Sequence, residues 1–319
     1  MKLQNRASLV ALFLLCLSVP TIGCRDSRVR PDGKRVVKVA YLPITHALPV
    51  FAEKEELDAS DSEIVIELIR YGSWPELMDA LNTGRVDAAS VLVELAMLAR
   101  QNEIEISAVA LGHKDGNILV TSPEIDSPAE LKGGTFAIPH RQSTHRILLN
   151  EALKKGNLSI DDVNVVELAP PEMPSALASG QISGYCVAEP FGAKAFAIKK
   201  DNGESVGKTL FTSTELWPES ICCVFVLNDR FINKRHEDAK QLVEAYFDAG
   251  EKLTTERAIE LGEKYLNQDA EVLSRSLEWI SFSDLKITPE SYEALRKRVL
   301  ENNLSKNPPE YEDFVKNSF

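Results

Sequence analysis

Short continuous apolar runs alternate with stretches in which apolar residues recur every three or four positions, and this alternation persists through most of the chain. Val36 to Leu42 is a β-branched run, Ala47 to Leu57 has helical spacing, Ile64 to Ile69 is a second run, and a helix starts near Ser73. The opening is therefore βαβα. A strand at Val86 to Val91, a helix at Glu94 to Gln101 and a strand at Ile106 to Leu111 extend it. After the run Ile118 to Val120 the pattern starts afresh. A helix is expected near Ser127 to Leu131, then strand Thr135 to Ile138, helix Thr144 to Lys155, strand Val163 to Leu168, helix Pro174 to Ser179, strand Gly184 to Val187 and helix Gly192 to Lys199. Past the run Ile221 to Leu227 the chain turns helical, with amphipathic stretches at Ala239 to Leu253, Thr255 to Leu266, Ala270 to Trp279 and Pro289 to Glu301.

Two α/β units thus follow one another. The runs Ile118 to Val120 and Val224 to Leu227 flank the central unit, as expected when a chain leaves one lobe, builds a second and returns. The pattern predicts an α/β, two-lobed fold with a hinge and a helical C-terminal segment. Residues 37–121 and 222–319 form one lobe and residues 122–221 the other. A ligand belongs between the lobes, in the strand-to-helix loops at the carboxyl ends of the strands.

The amino-terminal pattern is different in kind. Lys2 and Arg6 precede an apolar run from Ala7 to Val19, which is too short to span a bilayer of roughly 30 Å and stops at Pro20. Residues 1–23 read as a signal peptide. Thr21-Ile22-Gly23-Cys24 resembles the lipobox of bacterial lipoproteins, with Thr21 departing from the usual Leu. Cys24 is then the expected lipidation site, and residues 24–36 a polar tether. The expected location is the exported side, periplasmic or cell-surface, held to the membrane by lipid.

Composition narrows the picture. The 319 residues are 44% apolar and 26% charged, the balance of a folded protein long enough for about two domains. The net charge of −12 leaves no chain-wide positive field, so a nucleic-acid partner is not expected and any anion must be held by local groups. Of five cysteines, Cys186, Cys222 and Cys223 lie outside the signal and lipidation segment, and no disulfide framework follows. Adjacent Cys222 and Cys223 should point to opposite faces of a strand, as packing residues; without CxxC spacing no metal or redox site is expected, and no cofactor.

The predicted strand-to-helix loops share a chemistry. Pro43-Ile44-Thr45-His46-Ala47 follows the first strand. Gly72-Ser73-Trp74-Pro75-Glu76 follows the second, with Ser73 and Glu76 fitting a capping box and Pro75 in the first turn. His140-Arg141-Gln142-Ser143-Thr144-His145 follows the first strand of the central unit. Helix amino ends carrying hydroxyl, imidazole and guanidinium groups suit a small oxyanion, through free N–H groups and the helix dipole. Trp74 either shields that ligand or covers the core. An enzyme reading would assemble His46, His113, His140 and His145 with Glu94, Glu172 and Glu189 into a metal site or an acid–base pair, which their spacing does not support. It finds no HExxH, GxSxG or phosphate-loop pattern, so no catalytic residue is expected.

The stretches YLPITHALPVFAEKE (41–55), YGSWPELMDALNTGRVDAASVLVELAMLA (71–99), SPAELKGGTFAIPHRQSTHRILLNEAL (127–153) and APPEMPSALASGQISGYCVAEPFGAKA (169–195) resemble the nitrate, sulfonate, taurine and bicarbonate substrate-binding proteins of bacterial ABC importers, closest to the nitrate- and bicarbonate-binding branch. The resemblance implies a type II periplasmic-binding fold, closure by hinge bending, and delivery of a small-molecule solute by a monomer to an ABC permease and its ATPase. It also implies cleft-lining roles for Thr45, His46, Ser73, Trp74, Leu92, Val93, Glu94, Thr144, His145, Glu172 and Glu189, to which the loop chemistry adds Arg141 and Ser143 as ligand-binding candidates. Where the nitrate branch carries Lys after a Trp of the second lobe, this chain reads Leu216-Trp217-Pro218-Glu219. Bicarbonate or taurine, which can donate hydrogen bonds, suits Glu172 and Glu189 better than nitrate does. Alternatives from other classes are an enzyme of pyrimidine (thiamine precursor) synthesis type on the same fold, and a ligand-sensing receptor component.

Overall fold

The computed structural model describes residues 28–317; the signal segment and Cys24 lie outside the described residues. Twelve strands are found among these residues: β1 Arg35–Tyr41, β2 Ile64–Arg70, β3 Ala88–Leu92, β4 Ile106–Leu111, β5 Lys114–Asp115, β6 Asn117–Thr121, β7 Thr135–Ile138, β8 Asn164–Glu167, β9 Gly184–Ala188, β10 Lys208–Thr212, β11 Cys223–Asn228 and β12 Ile280–Ser281. One five-stranded sheet has the order β2-β1-β3-β11-β4, a second the order β10-β6-β9-β7-β8. Each contains parallel pairs, β1 with β2 and β3 in the first, β7 with β8 and β9 in the second. Into each sheet one antiparallel strand is inserted, β11 beside β3 and β6 beside β9.

Those inserted strands are the ones that arrive from the other unit. The chain crosses first between β4 and β6 and returns between β10 and β11. Strand β6 therefore belongs to the second sheet, which corrects the expected lobe boundary at residue 121: its residues pair Asn117 with Ala188 and Thr121 with Gly184. The run Ile118 to Val120 is apolar because it sits inside that sheet, between β10 and β9, and is buried on both faces. Strand β10, unmarked by any apolar run, pairs with β6 at the sheet's edge, where Lys208, Thr209 and Thr212 suit one-sided burial.

Helices cover both sheets, and one continuous apolar core runs through the two units. A smaller cluster joins Tyr41, Leu48 and Phe51 to Leu261, Leu266 and Leu273 of the C-terminal helices. The amphipathic stretch expected to run unbroken from 255 to 266 is an α-helix over Thr255–Leu261 that widens into a π-turn at Gly262–Leu266. A side chain at Gly262 would place its Cβ 2.6 Å from Leu273, so the helix Ala270–Ser276 can approach only a glycine there.

Two further differences matter for the site. Residues 28–34, expected within the tether, fold onto the first unit: Val29 bridges to Arg35, and Arg28 reaches Asp87 at 2.7 Å. The C-terminal helix Pro289–Glu301 and the loop after it touch the second unit as well. Asn150 donates to Asn302 at 2.8 Å, Gln142 to the Leu304 carbonyl at 3.2 Å, and Arg298 lies 4.5 Å over the Trp217 ring. Among the described residues no helix is long and apolar enough to cross a membrane.

Candidate functional site

The loops after the parallel strands meet along the seam between the sheets. Thr45, His46 and Ala47 form one turn of 3₁₀ helix after β1; Val93 and Glu94 open the helix Val93–Gln101 after β3; Thr144 and His145 open the helix Thr144–Lys155 after β7; Glu189 follows β9 through a cis bond to Pro190. All are buried. Thr45 donates both its N–H and its hydroxyl to the Glu189 carbonyl, each at 2.9 Å, and the Val93 N–H reaches the Cys222 carbonyl at 2.9 Å.

Thr144 Oγ1 lies 2.6 Å from both Glu94 Oε1 and the Ile221 carbonyl. A hydroxyl has one proton, so it can donate to only one of two acceptors. Burial pushes the Glu94 carboxyl up to about 7, against the opposing hydrogen bond from Thr144. When protonated, Glu94 can donate to Thr144, which then donates onward to Ile221; when ionised, it competes with Ile221 for the one hydroxyl proton. Burial likewise raises Glu189 to about 8, opposed by the Ala193 N–H. Glu94 Oε2 and His145 Nδ1 are buried with no hydrogen-bond partner among the described residues, which is uncommon for buried polar atoms.

Next to these groups stands a cluster that the loop pattern did not predict. His46 Nε2 is 3.1 Å from the Gly116 carbonyl, which can only accept, so Nε2 carries the proton. Nδ1 faces Cys223 Sγ, 3.4 Å away. His113, on the first crossing segment, stacks on His46 with ring centroids 3.4 Å apart. His145 Nε2 is 3.9 Å from Cys222 Sγ. One donor atom from each of His46, His113, Cys222 and Cys223 lies within 4.8 Å of every other.

The expected alternation of Cys222 and Cys223 fails for a local reason: β11 begins at Cys223, so Cys222 sits in irregular backbone before the strand and both thiols reach the imidazoles. Burial alone would raise the Cys223 thiol, but the Cys222 hydrogen bond and the imidazoles of His46 and His113 hold it well below its usual range. Burial pushes Cys222 up, helped by Cys223. Burial, then the neighbouring His46, lowers His113 to about 4 and His145 to about 3, so both rings are neutral bases at pH 7.

The remaining expected residues lie elsewhere. Ser73 caps the helix Trp74–Asn82 by position, but its side chain makes no capping bond, so the expected box with Glu76 does not form. Trp74 is buried in the core with its indole N–H unpartnered. Ser73, Trp74, His140 and Glu172 line an outer groove of about 260 Å³. Glu172 is exposed and accepts from the Ala169 N–H of its own turn. Arg141 is exposed and donates to the Val165 carbonyl; Ser143 is buried and donates to the His140 carbonyl at 2.6 Å. Glu219 is exposed, its N–H given to Asp115, so it adds no charge to the inner cluster.

His113, Cys222 and Cys223 were legible only through their position, since they border the two expected crossings. No local spacing announces a set drawn from three chain segments.

Two α/β units joined by two crossings, with polar groups buried along their seam, define the fold of the periplasmic binding proteins. The ligand binding component of an ABC-type import system from Staphylococcus aureus, solved with zinc bound, superposes with a TM-score of 0.83 at 36% identity, over 89% of this chain and 97% of that one. The chain belongs to the NMT1-like family, whose model matches residues 30–261. The taurine-binding periplasmic protein of Escherichia coli is 28% identical over 67% of this chain and 65% of its own length. The nitrate/nitrite binding protein NrtA of Nostoc sp. is 25% identical over 66% and 52%. The chain thus spans between half and two thirds of these two curated relatives. The resemblance read from the sequence motifs and the expected fold class are both confirmed.

Proposed function

We propose that this chain is the solute-binding component of an ABC import system: exported, tethered through Cys24, and delivering a small solute held between its two units to a permease powered by an ATPase. The observation that carries this reading is the buried seam, where His145 and Glu94, each with an unpartnered polar atom, lie beside the His46–Cys223 pair. Hinge bending at the segments 112–116 and 213–222 would open it. The chain does no chemistry in this reading; binding and closure are its whole task.

The relatives' names supply the ligand panel. Taurine and nitrate come from the curated relatives, alkyl sulfonate and bicarbonate from the motif resemblance. The seam's chemistry disfavours a bare anion, because among the described residues no Lys or Arg is buried there while Glu94 and Glu189 are. Solutes with hydrogen-bond donors fit best. Thermal unfolding of the purified protein against this panel tests the reading. A true ligand at a hundred times its Kd should stabilise by about 2.7 kcal/mol, and small-angle scattering should show contraction. Absence of any shift across the panel would reject it.

A further inference from the structure

We infer that His46, His113, Cys222 and Cys223 form a four-ligand site for a divalent transition-metal ion of the zinc class. The donor set argues first. Two thiols and two imidazoles are the ligands of tetrahedral zinc-type sites, whereas calcium and magnesium demand oxygen. With bonds of about 2.3 Å to sulfur and about 2.0 Å to nitrogen, tetrahedral donors sit roughly 3.3–3.8 Å apart. The four atoms here already lie within 4.8 Å of one another, so a shift of about an ångström completes the shell.

The surroundings argue second. A metal-bound histidine usually gives its other N–H to a carbonyl or carboxylate, which fixes the tautomer. His46 is already so arranged, with Nε2–H on the Gly116 carbonyl and Nδ1 on Cys223 Sγ. That carbonyl is itself fixed: Gly116 has φ +79°, and a Cβ there would meet Ile280 at 2.6 Å. The absence of a competing cation argues third, since among the described residues no Lys or Arg is buried beside the thiols. His145, with its Nδ1 unpartnered and Nε2 beside Cys222, stands behind the thiols as a positioning residue.

The ligands come from the loop after β1, the first crossing and the end of the second. A bound ion would tie both crossings to the first sheet and so favour closure. The inference rests on the proposed importer reading only for this role, not for binding itself.

The full mature chain, stripped of metal under reducing conditions, should be titrated with Co(II) and then Zn(II). One equivalent of cobalt should give thiolate charge transfer and the intense visible bands of a tetrahedral site, and zinc should displace it. The double variant Cys222→Ser/Cys223→Ser should lose the charge-transfer band and bind zinc more than about 100-fold more weakly, while Cys186→Ser keeps both. His46→Gln and His113→Gln, checked for folding by circular dichroism, should each weaken zinc more than about tenfold without removing the thiolate band. A wild-type chain without that band, or a band surviving the double cysteine variant, overturns the inference. If the metal-free chain binds taurine or bicarbonate and closes while cobalt gives no signal, the metal site fails and the importer reading stands. Metal binding with neither solute binding nor contraction keeps the site and rejects the importer.

Discussion

The outer groove and the inner cluster both present hydroxyl and imidazole groups at the seam, yet they use them differently. In the groove, Glu172 is satisfied by its own turn and Ser73 and His140 remain partly exposed, so water can serve as their partner. In the cluster, His46, His113, His145, Glu94, Cys222 and Cys223 are all buried, and their bonds run between distant segments. A polar group in water loses little when it gains no ligand. A buried one keeps its desolvation cost until something bonds to it. Burial without full bonding is therefore a stronger sign of a ligand site than a shared position at strand ends.

Changing Thr144 to Val should produce the largest effect. It strands the Ile221 carbonyl and the Glu94 carboxyl together, and should cost about 1–3 kcal/mol in denaturant unfolding. Stability unchanged within experimental scatter would mean the seam bonds are not formed in solution. Gly116→Ala comes next. A side chain at φ +79° that also meets Ile280 should cost more than about 1 kcal/mol, and should weaken zinc because the His46 partner carbonyl moves. If stability falls but metal affinity holds, the carbonyl does not orient His46.

A contrast away from the seam is Glu55. Burial favours its protonated form, but hydrogen bonds from Lys264, Tyr265 and Arg257 outweigh this and bring it down from 4.5 to about 2. A depressed carboxyl stabilises the fold fully above its unfolded value and loses that contribution as pH falls from about 4.5 toward 2. The variant Glu55→Gln should therefore flatten the acid limb of stability against pH, with solute affinity at pH 7 untouched; a change in that affinity would show that the two regions are not separate. The smallest effect belongs to Ser73→Ala. Without a capping bond to lose, it should change stability and binding by less than about 0.5 kcal/mol. A larger loss of binding would put the ligand in the groove.

Much of the fold was written in the alternation of runs, because strands buried on both faces must be apolar and the helices between them need one apolar face. Strand β10 escaped notice since an edge strand with Lys208 and two threonines, none of it fully buried, lacks such a run. The boundary near 121 was misplaced because β6 looks the same in either sheet; only its pairing partner decides. Reading helix starts nominated Thr45, His46, Thr144 and His145, and the motif resemblance added Glu94 and Glu189. His113, Cys222 and Cys223 were not, since a ligand set assembled by two crossings has no sequence period, and the strand rule that separated the thiols ceased to apply one residue before β11 began.

Anomalous diffraction at the zinc edge, from crystals of the full mature chain grown with zinc, compares the two regions directly. The inner-cluster account requires a single strong peak bonded to His46 Nδ1 and Cys223 Sγ, with His113 and Cys222 completing the shell. A peak confined to His140 and Glu172 in the outer groove, or none at the seam, would contradict it.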